Sequence, residues 1–295
     1  MAANDPAFLV SKAEERYSDR LDEIAERIFS DREKRIVMLA GPSASGKTTT
    51  AGLIASRLES RGAKAFTVSL DDFYHDQRDA ILDENGKPDY ETVNALDIVL
   101  IDSCLEDIIK NGTTRLPHFD FVSGRRSGFS DPITLGKDDV LIVEGIHALN
   151  DIIIGKNPKA FKLYIAARSN VVDDGKVIFD HAWLRLCRRI VRDHKFRGSN
   201  AEFTMKMWDN VRRGEKLYIS PYKENADLMF DSSLACEFSV LKPYVVPLLE
   251  ELPRGKYPVA DQILEAYEKI EGMDDTYLAP DSLAREFVGG STYTY

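Results

Sequence analysis

Gly41, Gly46, Lys47 and Thr48 stand in the stretch GPSASGKTTT (41–50) at the spacing of a phosphate-binding loop: Gly, four residues, Gly, Lys, then Ser or Thr. Each type has a physical reason. Glycines let backbone N–H groups turn toward phosphate oxygens, the following helix N-terminus adds positive potential, and Lys47 reaches the outer phosphates. Thr48 offers a hydroxyl to Mg²⁺, and the stretch as a whole (Gly41, Ser43, Ser45, Gly46, Lys47, Thr48, Thr49) is read as a nucleoside triphosphate site. The bland reading, a strand-to-helix turn with a surface lysine, is disfavoured by the apolar run RIVMLA (35–40) that ends directly at the loop.

Acidic residues fall where such a loop needs them. Asp71 and Asp72 in SLDDFYHD follow an apolar segment, and a carboxylate there can accept a proton from an attacking hydroxyl or hold Mg²⁺ directly or through water. Taken alone, the pair also reads as an acidic turn or helix start. Glu144 ends the apolar run of LIVEG and is read as a metal-site residue. From Trp183 to Lys216 there are ten Lys or Arg against four Asp or Glu, in a chain of net charge −10. Arg185, Arg188, Arg189 and Arg192 recur there at helical spacing, with Arg197 just beyond. A basic solvated face is the alternative to a lid closing positive charge over a γ-phosphate, and the acidity of the rest of the chain favours the lid.

These residues must be positioned by a larger frame. Leu9, Ala13, Tyr17, Leu21, Ile24 and Ile28 predict an amphipathic helix over 9–30 that packs as an N-terminal arm. Strands are expected at 35–40, 63–70, 138–145, 160–167 and, more weakly, 226–232. Helices are expected near 47–58, 93–110, 183–194, 200–213, 237–251 and 259–271. That alternation predicts an α/β fold with a parallel sheet and ligands at the carboxyl ends of its strands. RLPHFDFVSGRRSGFSDPITLG (115–136) alternates around a glycine turn and predicts a β-hairpin flap, with Phe119 and Phe121 on one face, able to hold a flat ring. The ending GGSTYTY has the composition of a mobile tail.

Composition narrows the class. A pI near 5.1 argues against general nucleic-acid binding. No stretch approaches the roughly 20 uninterrupted apolar residues of a membrane helix, and the first residues lack the pattern of a signal or transit peptide. A cytoplasmic location is the default expectation. Cys104, Cys187 and Cys236 are widely spaced and odd in number, which suggests buried thiols rather than disulfides or zinc ligands. The five histidines show no metal-ligand spacing.

In this order the segments resemble the uridine kinase and phosphoribulokinase family, from about Arg35 to at least Leu252. GPSASGKTT resembles its phosphate loop, LDDFY its Asp-Ser-Phe-Tyr segment, LPHFDFVSGRR its hairpin, LIVEGIHAL its Glu-Gly strand, and RLCRRIVRDHKFRG its lid. RRGEKLYISPYKENADLMFDSSLACEFSVLKPYVVPLL and SLAREFVGGS are similar to a divergent group of uridine kinase-like proteins whose bacterial members often carry a TGS domain. The 34 residues before Arg35 are too short for that module.

The resemblance implies an α/β fold of the P-loop NTPase type, with a β-hairpin flap and a helical arginine-rich lid. Residues 1–34 would be the helical arm, 35–272 the kinase domain with its lid at about 183–216, and 273–295 a C-terminal tail. It further implies that ATP donates its γ-phosphate to the 5′-hydroxyl of a small-molecule nucleoside, uridine or cytidine first, with Asp71 as general base. Thr48, Glu144 and Asp71 would serve Mg²⁺. Lys47, Arg188, Arg192 and Arg197 would neutralise the triphosphate, and Arg185 would face the nucleoside. Phe119 and Phe121 would flank the base, with Tyr74 beside them, and Glu91 would meet the ribose hydroxyls. Assembly into a homo-oligomer is compatible with it. Two departures bear on the base: Glu91 is followed by Thr92 and Val93 rather than His-Pro, and Gly124 stands where many members have a base-reading histidine. A kinase of another small alcohol, of sugar phosphate or pantothenate type, and a nucleotide-binding regulator without an acceptor are the alternatives.

Overall fold

The computed structural model describes residues 4–293 apart from 32, 83–85, 87, 121–122 and 156–158. Its centre is a five-stranded parallel sheet of β1 (Ile36–Ala40), β2 (Ala65–Ser69), β3 (Val140–Glu144), β4 (Phe161–Ala166) and β5 (Leu228–Asp231), in the order β5-β4-β1-β3-β2. All five lie within the segments expected to be strands. Successive strand residues face opposite sides, so Val37 and Leu39 enter one apolar layer while Met38 and Ala40 enter the other. Such two-sided burial is why these strands read as continuous apolar runs rather than alternating ones. Register pairs both Leu39 and Ser69 with Glu144, which brings the carboxyl ends of β1, β2 and β3 to one edge.

The first apolar layer is covered by α1 (Pro6–Ser30), α2 (Lys47–Ser60), α4 (His181–Phe196), α5 (Ala201–Gly214), α6 (Glu237–Glu250) and α7 (Pro258–Glu268); α3 (Ile98–Asn111) lies against the second. Asp5 caps α1 by accepting Phe8 N–H at 2.9 Å. The buried stripe from Val10 to Ile28 packs the helix on α2, where the Tyr17 hydroxyl meets Thr50 Oγ1 at 2.7 Å. Helix α3 starts later than periodicity suggests because Asp97 caps it through Leu100 N–H, after a short 3-10 turn at Val93–Ala95.

The flap is an antiparallel pair, Pro117–Asp120 with Arg125–Phe129. A second hairpin, Val171–Asp173 with Lys176–Phe179, is not among the expected elements, although the Asp174-Gly175 turn, with both φ angles positive, is a strong hairpin signal. The three cysteines are buried and free, as expected. Among the described residues no helix is long and apolar enough to cross a membrane.

Within the segment 273–295, read as a C-terminal tail, the residues ahead of GGSTYTY pack on the rest of the chain. Leu278, Leu283, Ala284, Phe287 and Val288 are buried, and several join the core formed by α1 and α2. A short helix, Arg285–Val288, carries this apolar set. Four residues are too few to show a period, so the segment could not be read as an element. If it belongs to the core, Phe287→Ala removes a fully buried ring and should cost about 3–5 kcal/mol in urea denaturation. A change below about 0.5 kcal/mol would return the segment to a surface tail.

Candidate active site

The loop between β1 and α2 is held from outside by its carbonyls. Arg185 Nε donates to Ser43 O at 3.0 Å, Arg188 Nη1 to Ala44 O at 3.1 Å, and Ser232 Oγ to Ser45 O at 2.6 Å. In a planar trans peptide the C=O and the next N–H point in opposite directions. Fixing Ser43 O and Ser45 O outward therefore turns the N–H groups of Ala44 and Gly46 to the concave side, where an anion is bound. Gly41 is required by space: a Cβ there would lie 2.0 Å from Ile165 O. Gly46 is required by its φ of +83°, which caps α2 in the left-handed region. Lys47 Nζ lies 3.3 Å from Pro42 O.

Thr48 Oγ1 donates to Glu144 Oε1 at 3.3 Å, joining the first turn of α2 to the end of β3. Burial, with the Asp71 charge adding to it, pushes the Glu144 carboxyl up to about 7 although Lys47 opposes the shift. Asp71 lies on a 3-10 turn, Leu70–Phe73, whose N-terminal Ser69 Oγ accepts the Asp71 N–H. Burial raises its pKa, against the pull of Lys47, Arg197 and Arg192. Among the described residues no group of three or more His, Cys, Asp or Glu is arranged for a metal. Mg²⁺ does not demand one, since it takes one or two carboxylates and fills its octahedron with phosphate oxygens and water. A hydroxyl bonded to a buried carboxyl beside a second carboxylate fits that requirement.

Beside this edge the strap after β2 packs on the flap. Asp72 Oδ1 accepts Phe119 N–H at 3.1 Å, and Asp76 Oδ1 accepts Arg126 N–H at 3.1 Å, which docks the flap beside Asp71. The rings of Tyr74 and Phe119 lie 6.0 Å apart, and Tyr74 donates to Tyr90 O. Phe121 lies outside the described residues. Glu91 packs on Gly214, where a Cβ would approach it to 2.4 Å. Burial pushes its carboxyl up to about 7, against the nearby Arg189 guanidinium. The φ of Gly124 is +65°, and the Gln77 side chain fills the place a Cβ would take, 2.2 Å from the Gln77 amide carbon.

Two arginines stand elsewhere than expected. Arg188, 0% exposed, donates from Nε and Nη2 to the two oxygens of Glu237 and also donates to Ser232 O, behind the loop rather than over its mouth. Arg185, expected to face a nucleoside, is engaged by the protein itself: it pairs with Glu215 at 3.0 Å and lies over the Trp208 ring. Both belong to the inward stripe of α4, and helical spacing alone does not tell an inward basic stripe from an outward one. Arg192, half-turned to the site, pairs with Asp193, and Arg197 is largely exposed.

Arg189 takes a place in the site that its spacing does not assign. Its Nη1 donates to Ser43 Oγ at 2.9 Å while its charge acts on Glu91, so it links the glycine loop to Glu91. His147, without metal-ligand spacing in the sequence, also lies close. It is buried beside the backbone of Glu91 and Tyr218, and burial pushes it down to about 4, which keeps the ring neutral. Neither has a signal in the sequence beyond the segment it stands in.

The chain matches the Phosphoribulokinase / Uridine kinase family over residues 36–237. It belongs to that family. A uridine kinase of Staphylococcus aureus (strain JH9) is 30% identical over 195 residues, covering 66% of this chain and 86% of that protein. Among solved structures, a candidate fructose transport system kinase from Silicibacter sp. TM1040 aligns with a TM-score of 0.54 at 20% identity, covering 71% of this chain and 98% of that one. A candidate uridine kinase from Bacillus stearothermophilus aligns with a TM-score of 0.51 at 17% identity, covering 72% and 98%. The structural likenesses carry the α/β fold with its central parallel sheet. Membership makes the protein a kinase, a phosphotransferase with an alcohol as acceptor, and implies ATP as the phosphate donor.

Two measurements follow from this geometry. Arg188→Ala leaves Glu237 buried without its partner and should lower stability by about 3–5 kcal/mol in denaturant titration. A loss of activity with unchanged stability would instead put Arg188 at the substrate. Glu91, raised from 4.5 to about 7, keeps its proton in the folded protein after the unfolded chain has lost it. Its contribution is complete below the lower value and lost as pH rises to the higher one. The stability difference between wild type and Glu91→Gln should therefore shift against wild type from pH 4.5 to about 7 and level off above it. A flat difference would remove the shift.

Proposed function

We propose that this kinase transfers the γ-phosphate of ATP to the 5′-hydroxyl of a nucleoside, uridine or cytidine first. The observation that carries the reading is the meeting of Lys47, Thr48, Asp71 and Glu144 at one sheet edge, beside the side chains of Tyr74, Glu91 and Phe119. In this reading the outer phosphates are received by backbone N–H groups and Lys47. Asp71 accepts the proton of the acceptor hydroxyl as its oxygen bonds to phosphorus and the bridging bond to the β-phosphate breaks. Arg189 and Arg192 supply positive charge from α4, with Arg197 at its end. Thr48 and Glu144, with Asp71 near, would hold Mg²⁺, which would supply neutralisation of phosphate charge when bound. Glu91 would accept from sugar hydroxyls, and Phe119 would lie against the base.

The support is the family, the 30% identity to a uridine kinase and the retained carboxylates. A second reading, a kinase of another small alcohol, is favoured by one feature: Gln77 fills the space over Gly124, which offers no ring to read a base.

The deciding assay incubates the protein with Mg²⁺-ATP and uridine, cytidine, adenosine, guanosine, ribulose 5-phosphate or pantothenate and measures phosphorylated product. UMP or CMP should form, and Asp71→Asn should cut kcat by at least about 100-fold with ATP affinity nearly intact. Turnover of a different alcohol would select the second reading. ATP binding with no phosphorylated acceptor would point to a regulatory role.

A further inference from the structure

We propose that the C-terminal segment 282–293 braces the phosphate loop, with Glu286 as a positioning residue. The family match ends at residue 237, and this segment lies beyond it. Four contacts place it. Glu286 is buried, and its Oε2 accepts from Thr49 Oγ1 in the first turn of α2 at 2.5 Å. Leu283 occupies the space beside Gly46, its Cδ1 2.4 Å from where a Cβ would be. Tyr293 packs on Gly52 one turn further along α2. Phe287 lies under the Arg188 guanidinium at 4.9 Å, the same guanidinium that holds Ala44 O.

The segment also reaches the far end of α4. Lys195 Nζ donates to Val288 O, and the Phe196 ring approaches Gly289. Arg285 ties the segment to the stretch before it through Asp275 O and Leu278 O. It therefore touches both partners that must be registered to each other, the loop's helix and the basic helix. The Glu286 charge adds to that of Glu237 around Arg188, so one carboxylate serves the loop through a hydroxyl and through a guanidinium. A side chain that orients the first turn of α2 orients the N–H groups of that turn, on which anion binding depends.

The inference rests on the reading of the loop as the ATP site. Its test compares Mg²⁺-ATP affinity by titration calorimetry for wild type, Glu286→Ala, Glu286→Gln and Ile263→Ala, the last a core truncation in α7. Melting temperatures are measured alongside. Glu286→Ala should weaken ATP binding about tenfold, while Glu286→Gln, whose amide oxygen still accepts from Thr49, should stay within about threefold of wild type. Ile263→Ala should lower the melting temperature without weakening ATP binding. Reciprocity requires ATP to stabilise the brace in turn, so amide exchange across 282–290 of the wild type should slow when Mg²⁺-ATP is added. Wild-type affinity in Glu286→Ala, or equal weakening in Ile263→Ala, overturns the brace and leaves the ATP site standing. Unchanged exchange at 282–290 also overturns it. Failure of the wild type to bind ATP takes down both readings.

Discussion

A fully buried guanidinium anchors the glycine loop at the carboxyl edge of the sheet. Arg188 is clasped by both oxygens of Glu237, at 2.5 and 2.6 Å, and passes its remaining donors to Ala44 O in the loop and Ser232 O after β5. An ion pair so placed contributes little net stability over a well-packed apolar substitute, because both charges have left water. What it supplies is direction. A guanidinium presents its donors in a fixed plane, so one side chain sets the mutual positions of a loop on β1, a turn after β5 and the start of α6. Ser232 Oγ in turn holds Ser45 O, which closes the arrangement on itself.

The outward hold has a counterpart within the site. Asp71, Glu91 and Glu144 are all raised by burial, and the Asp71 charge adds to the rise at the other two. Lys47 acts against the rise at each of the three. Arg189 joins it at Glu91, and Arg197 and Arg192 join it at Asp71. Phosphoryl transfer brings more negative charge, so added cations must come with the substrate or from α4. Arg189 and Arg192 are partly engaged by Asp193, whose single carboxylate keeps them near the site without neutralising both.

The legible parts of the sequence are those with a period or a fixed spacing. RIVMLA and GPSASGKT point to β1 and the loop because a five-residue apolar run and a glycine-lysine spacing seldom adjoin for any reason but a strand feeding a phosphate cradle. Asp71, Glu144 and the flap follow from strand ends and alternation. Arg185 and Arg188 could not be placed, since their spacing suits an inward stripe as well as an outward one. The partners that decide it, Glu215 and Glu237, lie 30 and 49 residues away. Residues 278–288 are illegible for a different reason: their apolar side chains act singly against other elements and never as a face. Glu91 is placed by resemblance alone; its burial against Gly214 is a tertiary fact with no local sign.

Helix α4 divides its duties along its length, and this explains how a rigid loop and a responsive set of charges can share one element. Side-chain exposure is 2% at Arg185 and 0% at Arg188, rises to 16% and 14% at Arg189 and Arg192, and reaches 60% at Arg197. The N-terminal half is cemented to the loop's carbonyls, so a movement there would disturb the phosphate cradle itself. Charges able to respond to a bound triphosphate must come from the C-terminal half, where solvent still screens them. That half is the end on which the C-terminal segment bears, through Lys195 and Phe196. Val288 and Gly289 thus meet the basic helix at its less committed end, while Phe287 meets it at Arg188 and Glu286 holds the first turn of the loop's helix.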